Sequence, residues 1–129
     1  MAWLDGGPGE SSMMGLLHQH GPVQPDGHGG YTRRPATWVG PCSVLYIDSP
    51  VGTGFSYSDS GAQGLRITQE GFTEDLYQFV EQFYVLFPEL RQRDLYVGGT
   101  SYAGKYAPAL AHRYSMLLVL AVLLSLYFY

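Results

Sequence analysis

The sequence predicts an α/β fold: a short parallel sheet of about three strands, flanked by helices. Three observations predict it. Short apolar runs with strand character stand at Trp3-Leu4, at Ser43-Val44-Leu45-Tyr46-Ile47 and at Asp94-Leu95-Tyr96-Val97. Each run leads into a glycine-bearing loop or turn, and each of those leads into a stretch with helical character. Such alternation is the pattern of parallel strands joined by helical crossovers.

In chain order, Trp3-Leu4 ends the first strand, and Asp5-Gly6-Gly7-Pro8-Gly9 forces a loop because three glycines and a proline exclude regular structure. Backbone N–H groups exposed by such a loop can hold an anion or an oxyanion. Glu10-Ser11-Ser12 opens a short helix with Met13, Met14, Leu16 and Leu17 on its apolar side, and Gly21-Pro22 ends it. Residues 23–40, broken by Pro25, Gly27, Gly29, Gly30 and Pro35, read as an irregular surface excursion carrying Trp38 and a solvated His28. The run at Ser43 to Ile47 is apolar on both faces, which predicts a central parallel strand. Asp48-Ser49-Pro50-Val51-Gly52-Thr53-Gly54 is a second glycine loop off a strand's carboxyl end, where sites lie in α/β sheets.

Residues 68–87 make the best helix. Phe72, Leu76, Phe79, Val80, Phe83 and Phe87 recur at steps of three and four, with Glu70, Glu74, Asp75, Gln78, Glu81 and Gln82 mostly opposite. The early acids favour the positive N-terminal end of the helix and read as a solvated face. Pro88 stops it. The third strand then runs into Gly98-Gly99-Thr100-Ser101-Tyr102-Ala103-Gly104-Lys105-Tyr106, followed by an Ala-rich, helix-compatible stretch in which Pro108 fits a first turn or makes a kink. A serine between small residues, where a strand turns into a helix, is the setting of a nucleophile elbow, and Gly99 and Ala103 keep that turn free of bulk. Taken alone, the stretch fits an ordinary glycine-rich turn equally well.

The bulk properties narrow the function. At 129 residues and 46% hydrophobic content, the chain suits one small domain with a core. A net charge of -4 and the lack of any basic run exclude nucleic-acid binding. The dense aromatics, with 11 Tyr, 6 Phe and 2 Trp, suit buried packing or a substrate cleft. Cys42 is the single cysteine, so no internal disulfide is possible, and it is expected to be a small buried side chain. The sequence has no Asn and hence no N-glycosylation acceptor. His18 and His20 stand two apart with no cluster of further ligands, so neither metal nor other cofactor is expected. Met1-Ala2-Trp3-Leu4 is too short for the apolar core of a secretory signal. Residues 116–129, MLLVLAVLLSLYFY, carry no charge but fall short of the ~20 residues of a spanning helix. They read as a buried helix, a membrane-seeking tail or a terminus foreign to the fold, and the last is favoured over a membrane anchor.

Three separated stretches together resemble the serine carboxypeptidases of the α/β-hydrolase superfamily. They are Trp3-Leu4-Asp5-Gly6-Gly7-Pro8-Gly9-x-Ser11-Ser12, the run from Leu45 through Asp48-Ser49-Pro50-Val51-Gly52-Thr53-Gly54 to Phe55-Ser56-Tyr57, and Ser101-Tyr102-Ala103-Gly104-Lys105-Tyr106-Ala107-Pro108. Phe87-Pro88-Glu89 matches as well, and the Gly-Lys-Tyr-x-Pro ending is similar to the vitellogenic-like branch. On this resemblance residues 1–114 form part of an α/β-hydrolase domain, and residues 115–129 form a hydrophobic tail with no family counterpart. The resemblance implies removal of C-terminal residues from peptide or protein substrates through an acyl-enzyme on Ser101. It implies an oxyanion hole from Gly7 and Tyr102, and a grip on the substrate's terminal carboxylate by residues aligned with Asp5, Gly6, Gln19 and Thr100. A vacuolar, lysosomal or secreted setting is also implied.

The chain departs from the family pattern in several places. Asp5 stands where the family has Asn, while Gln19 and Thr100 stand where it has Glu. Gln and Thr are donors at any pH, whereas an ionised Asp5 repels a carboxylate. The expected result is a weakened grip, with the pH dependence moved onto Asp5. Glu10 replaces the family cysteine after the glycine loop, so that disulfide is lost. The family's catalytic Asp and His lie far downstream of the serine, and this sequence ends 28 residues after Ser101. His18, His20, His28 and His112 do not match the family base, and His18 or His20 as a substitute is the poorer reading. The chain alone is therefore expected to be inactive. The alternatives are a non-catalytic, peptide-binding relative or truncated isoform, and an acyltransferase built on the same scaffold.

Overall fold

The computed structural model of the protein describes residues 1–115. The expectations for residues 116–129 lie outside the described residues. Three short strands make a parallel sheet: β1 (Ala2–Leu4), β4 (Leu45–Tyr46) and β5 (Val97–Gly99), in the order β4-β1-β5. Ala2 pairs with Leu45 on one side and Val97 on the other, and Leu4 pairs with Gly99. The expected α/β class holds. The expected central position of β4 does not: β4 lies at the edge of the described sheet and β1 is in the middle. Its two residues are only half-buried, while Ala2 and Leu4 are fully buried. The continuous apolar run was a poor guide here because Ala2-Trp3-Leu4 is too short to read as the inner strand.

Two helices cover one face. Helix α1 (Gln69–Leu86) begins at Thr68, whose side-chain oxygen accepts a hydrogen bond from the Gly71 N–H at 3.1 Å, and Pro88 follows its end. Of the expected stripe, Phe72, Leu76 and Val80 are buried, whereas Phe79 and Phe87 are exposed. Tyr77 and Tyr84 pack against the core instead, so the buried face is turned a little from the one the phenylalanines suggested. Helix α2 (Ala103–Ser115) buries Ala103, Tyr106, Ala107, Leu110 and Ala111 and packs on α1, β5 and β1. Pro108 lies inside it, in the second turn.

Because successive strand side chains point to opposite faces, Ala2 and Leu4 meet the helices while Trp3 goes to the other side. There Trp3 joins His20, Trp38 and Tyr46 in an aromatic cluster. The segment 23–40 supplies Trp38, and it is not wholly irregular. Strands β2 (Val23–Pro25) and β3 (Tyr31–Arg33) form an antiparallel hairpin, with Val23 opposite Arg33 and Pro25 opposite Tyr31. The glycines that hid its period sit in the connecting loop, where Gly27 and Gly29 have positive φ. Cys42 is exposed rather than buried.

Candidate active site

Two backbone features meet at the carboxyl ends of β1 and β5. The first is the turn at Ser101, which has φ 54, the only positive value at a non-glycine among the described residues. Left-handed backbone costs a residue with a Cβ ~1–2 kcal/mol, so it persists only where the surroundings enforce it. Here they do. The Thr100 N–H donates to the Leu4 carbonyl at 3.2 Å, and the Ala103 N–H reaches back to the Thr100 carbonyl at 2.9 Å. A Cβ on Gly99 would stand 2.4 Å from the Ala103 Cβ and clash with the Leu4 carbonyl oxygen, so the turn needs the small residues the sequence provides. Ser101 itself is exposed, immediately before the N-terminus of α2.

The second feature is the glycine loop after β1, which backs onto this turn. A Cβ on Gly6 would lie 2.7 Å from the Ser101 Cβ and 2.8 Å from the Tyr102 backbone nitrogen. The loop closes with the Glu10 N–H donating to the Gly6 carbonyl at 3.0 Å, and Gly7 takes φ 106 inside it. Neither the Gly7 N–H nor the Tyr102 N–H has an acceptor among the described residues. The Ser101 hydroxyl likewise makes no hydrogen bond to any described residue.

Asp5 organises the floor. Its carboxylate is almost fully buried and takes three donors: the Trp3 indole N–H at 3.2 Å, the Gly15 N–H at 2.9 Å and the Thr100 hydroxyl at 3.2 Å. Thr100 and Asp5 are therefore joined, and Gly6 sits beside them. Gln19 is apart: it is exposed at the end of the π-helical turn Gly15–Gln19 and makes no side-chain hydrogen bond among the described residues. Of the histidines, His18, His28 and His112 are exposed. His20 is buried, with its Nδ1 paired to the Tyr46 hydroxyl at 3.0 Å. Burial pushes its pKa down, the Asp5 charge acts in the opposite sense, and Arg34 adds to the lowering.

Two residues quoted in the sequence motifs without a role turn out to be structural centres. Ser12 accepts from the Asp5 N–H at 3.0 Å and donates to the Ile47 carbonyl, so it ties the loop to the neighbouring strand. The Asp48 carboxylate accepts from the Ser11 hydroxyl and the Ser12 N–H, both at 2.7 Å, and from the Phe55 N–H at 2.8 Å. It thereby clamps the second glycine loop onto the first. Their polarity at the mouth of an otherwise apolar sheet was the available signal.

A family description, serine carboxypeptidase, matches residues 1–116. A mouse protein named probable serine carboxypeptidase CPVL is 50% identical over 85% of this chain, which corresponds to 23% of that protein. The vitellogenic carboxypeptidase of Aedes aegypti is 40% identical over 87% of the chain and 24% of its own length. The chain thus spans about a quarter of the curated relatives it matches. Among solved structures, that of Kex1Δp, a prohormone-processing carboxypeptidase from Saccharomyces cerevisiae, superposes with a TM-score of 0.76 at 32% identity. It covers 90% of this chain and 26% of the yeast chain.

Proposed function

Because the chain belongs to the serine carboxypeptidase family, we propose that it carries the nucleophile and the oxyanion hole of a serine-type carboxypeptidase, with Ser101 as the residue acylated. The observation that supports this most is the enforced left-handed turn at Ser101, an exposed hydroxyl held against the glycine loop. A substrate carbonyl attacked by the Ser101 oxygen develops negative charge on its own oxygen, and the Gly7 and Tyr102 N–H groups would receive it. The terminal carboxylate of a peptide would lie toward Asp5, Gly6, Gln19 and Thr100. There Asp5, already occupied by three donors, contributes charge of the wrong sign. A vacuolar, lysosomal or secreted setting is part of the same proposal and rests on the family resemblance alone.

Ser101 lacks a hydrogen-bonded base among the described residues, and that governs the test. An activated ester, such as a p-nitrophenyl ester, loses a leaving group that needs no proton, so acylation proceeds slowly without a base. Release needs a base to activate water and is slower still. Incubating the chain with the ester should therefore leave one acyl group on Ser101, read by intact mass and peptide mapping, and Ser101→Ala should abolish it. Acylation spread over Lys105, the terminal amine and the tyrosines, unaffected by Ser101→Ala, would overturn the assignment. The unpaired hydroxyl also favours a second reading, peptide binding without turnover. In a protein extended to family length, hydrolysis of an N-blocked dipeptide with a free carboxylate supports the first reading, and binding of that dipeptide without cleavage supports the second.

A further inference from the structure

Both tryptophans of the chain, Trp3 and Trp38, lie against one side chain, His20. The His20 ring stacks on Trp38 with centroids 4.1 Å apart and on Tyr46 at 5.6 Å, and meets Trp3 edge-to-face at 4.3 Å. Its Nδ1 is paired with the Tyr46 hydroxyl, while Nε2 is buried with no partner among the described residues. The Trp3 indole N–H in turn donates to Asp5 Oδ2, the same oxygen that accepts from Gly15, while Asp5 Oδ1 takes the Thr100 hydroxyl beside Ser101. One contiguous set of contacts therefore runs from His20 to the turn bearing the hydroxyl.

We propose that His20 is a positioning residue for the Asp5–Thr100 cluster: the neutral ring holds Trp3 edge-on and so holds Asp5, and uptake of a proton by the ring releases that hold. The reading rests on the proposed function only in treating Asp5 and Thr100 as part of a substrate site. Whichever nitrogen of the neutral imidazole takes the solvent proton, the product is an imidazolium with a donor at both positions. Tyr46 can satisfy Nδ1–H by turning its own hydrogen away. Nε2–H has no acceptor, and a buried charged donor left unpaired is costly. Cation–π attraction to Trp38 offsets part of that cost, but from the ring faces, not at the Nε2 edge. The ring must therefore shift toward water, and Trp3 loses its edge contact.

The charges facing this ring come from every neighbouring element. Asp5 at the end of β1 favours the cation. Arg34, fixed by hydrogen bonds to the Gly21 and Leu17 carbonyls, opposes it. Tyr46 on β4, pushed above its ordinary value by burial, stays neutral near pH 7, Cys42 lies near Tyr46, and His18 on the π-helical turn is exposed. Desolvation prevails, so the folded-state transition falls below the ordinary histidine value of about 6.5.

The test needs no catalysis. In proton–nitrogen NMR of the full chain, the two indole N–H resonances and the Gly15 amide report Trp3, Trp38 and the Asp5 bond separately. All three are expected to move with one shared midpoint below about 6.5. His20→Phe keeps the stack and removes the titration, so the shared transition should vanish, and His20→Gln should do the same if the phenyl variant folds poorly. A transition arising from any group other than His20 would survive in both variants. Survival of the shared transition in either variant overturns the proposal. So does movement of the Trp38 indole with the Trp3 indole and the Gly15 amide unmoved. Failure of Ser101 to acylate would leave these spectra unchanged, so the two readings fail separately.

Discussion

The two ends of the short sheet are built on opposite principles. At the carboxyl end, buried polar groups are paired in detail: Asp5 with three donors, Ser12 bridging β1 to Ile47, Asp48 clamping two loops together. Backbones there approach so closely that a single methyl group would collide with a neighbour, as at Gly6 and Gly99. At the amino end lies a hollow of about 670 Å³ bordered by Ala2, Leu45, Val80, Phe83, Tyr84 and Tyr96. Its contacts are mainly apolar and non-directional, and they leave space. One end is specified atom by atom, while the other depends on area removed from water. Sensitivity to substitution should therefore differ sharply between them.

The strongest way to break this comparison is Gly99→Ala. Its methyl group would collide with the Leu4 carbonyl oxygen, which cannot move without disturbing the β1–β5 pairing, and with the Ala103 Cβ, which cannot move without shifting the start of α2. The expected loss is about 3 kcal/mol in urea unfolding. A loss below about 1 kcal/mol would mean that the crossing is slack. Ser12→Ala comes next. It leaves the Asp5 N–H and the Ile47 carbonyl buried without their partner, so it should cost about 2 kcal/mol. At the amino end, Phe83→Leu at the rim of the hollow should cost under about 1 kcal/mol, because the cavity already forfeits contacts on one side. If Phe83→Leu equals Ser12→Ala, the two ends do not differ as described.

The same contrast explains what was legible in the sequence. Helix α1 could be read almost to the residue, because Thr68, the apolar spacing and Pro88 all act locally. The tight strand-to-helix turn at Ser101 could be read because the demand for small residues at Gly99 and Ala103 is also local. The order of the strands could not: β1 is central only by pairing with segments more than forty and ninety residues away, and three residues carry too little pattern to announce that. The hairpin at residues 23–33 was obscured because Pro25 and the glycines broke the alternation that its short strands needed. Asp5 was legible as a departure from the family pattern. That its carboxylate is shared among Trp3, Gly15 and Thr100 depends on three separate chain segments meeting, which no spacing encodes. Gln19, which the resemblance leads one to expect in the carboxylate grip, stands exposed at the end of the π-helical turn.

Asp5→Asn sharpens the comparison at lower energy. An amide can keep its oxygen toward Trp3 and Gly15 and offer its NH2 to the Thr100 oxygen, so folding should change by less than about 1 kcal/mol. Removing the charge should nevertheless improve binding of peptides with a free terminal carboxylate near neutral pH, by a few-fold. An unchanged Michaelis constant in a family-length protein, or an unchanged dissociation constant for the chain, would separate Asp5 from substrate recognition.

The smallest expected effect is the most discriminating. Tyr106, on α2, is fully buried between Tyr102 and Phe72, and its hydroxyl has no hydrogen-bond partner among the described residues. Burial raises its pKa to about 12, with the Tyr102 side chain adding to the shift, so the hydroxyl stays protonated across the working range. Like His20 Nε2, it is an exception to the pairing that marks the carboxyl end. Tyr106→Phe removes a desolvated, unpaired oxygen while leaving both edge-to-face ring contacts in place. Stability should then hold or rise by about 0.5–1 kcal/mol, in contrast to the loss at Ser12. A fall of more than about 1 kcal/mol would mean that the hydroxyl is paired after all, and that the polar network extends through α2 behind the residue next to Ser101.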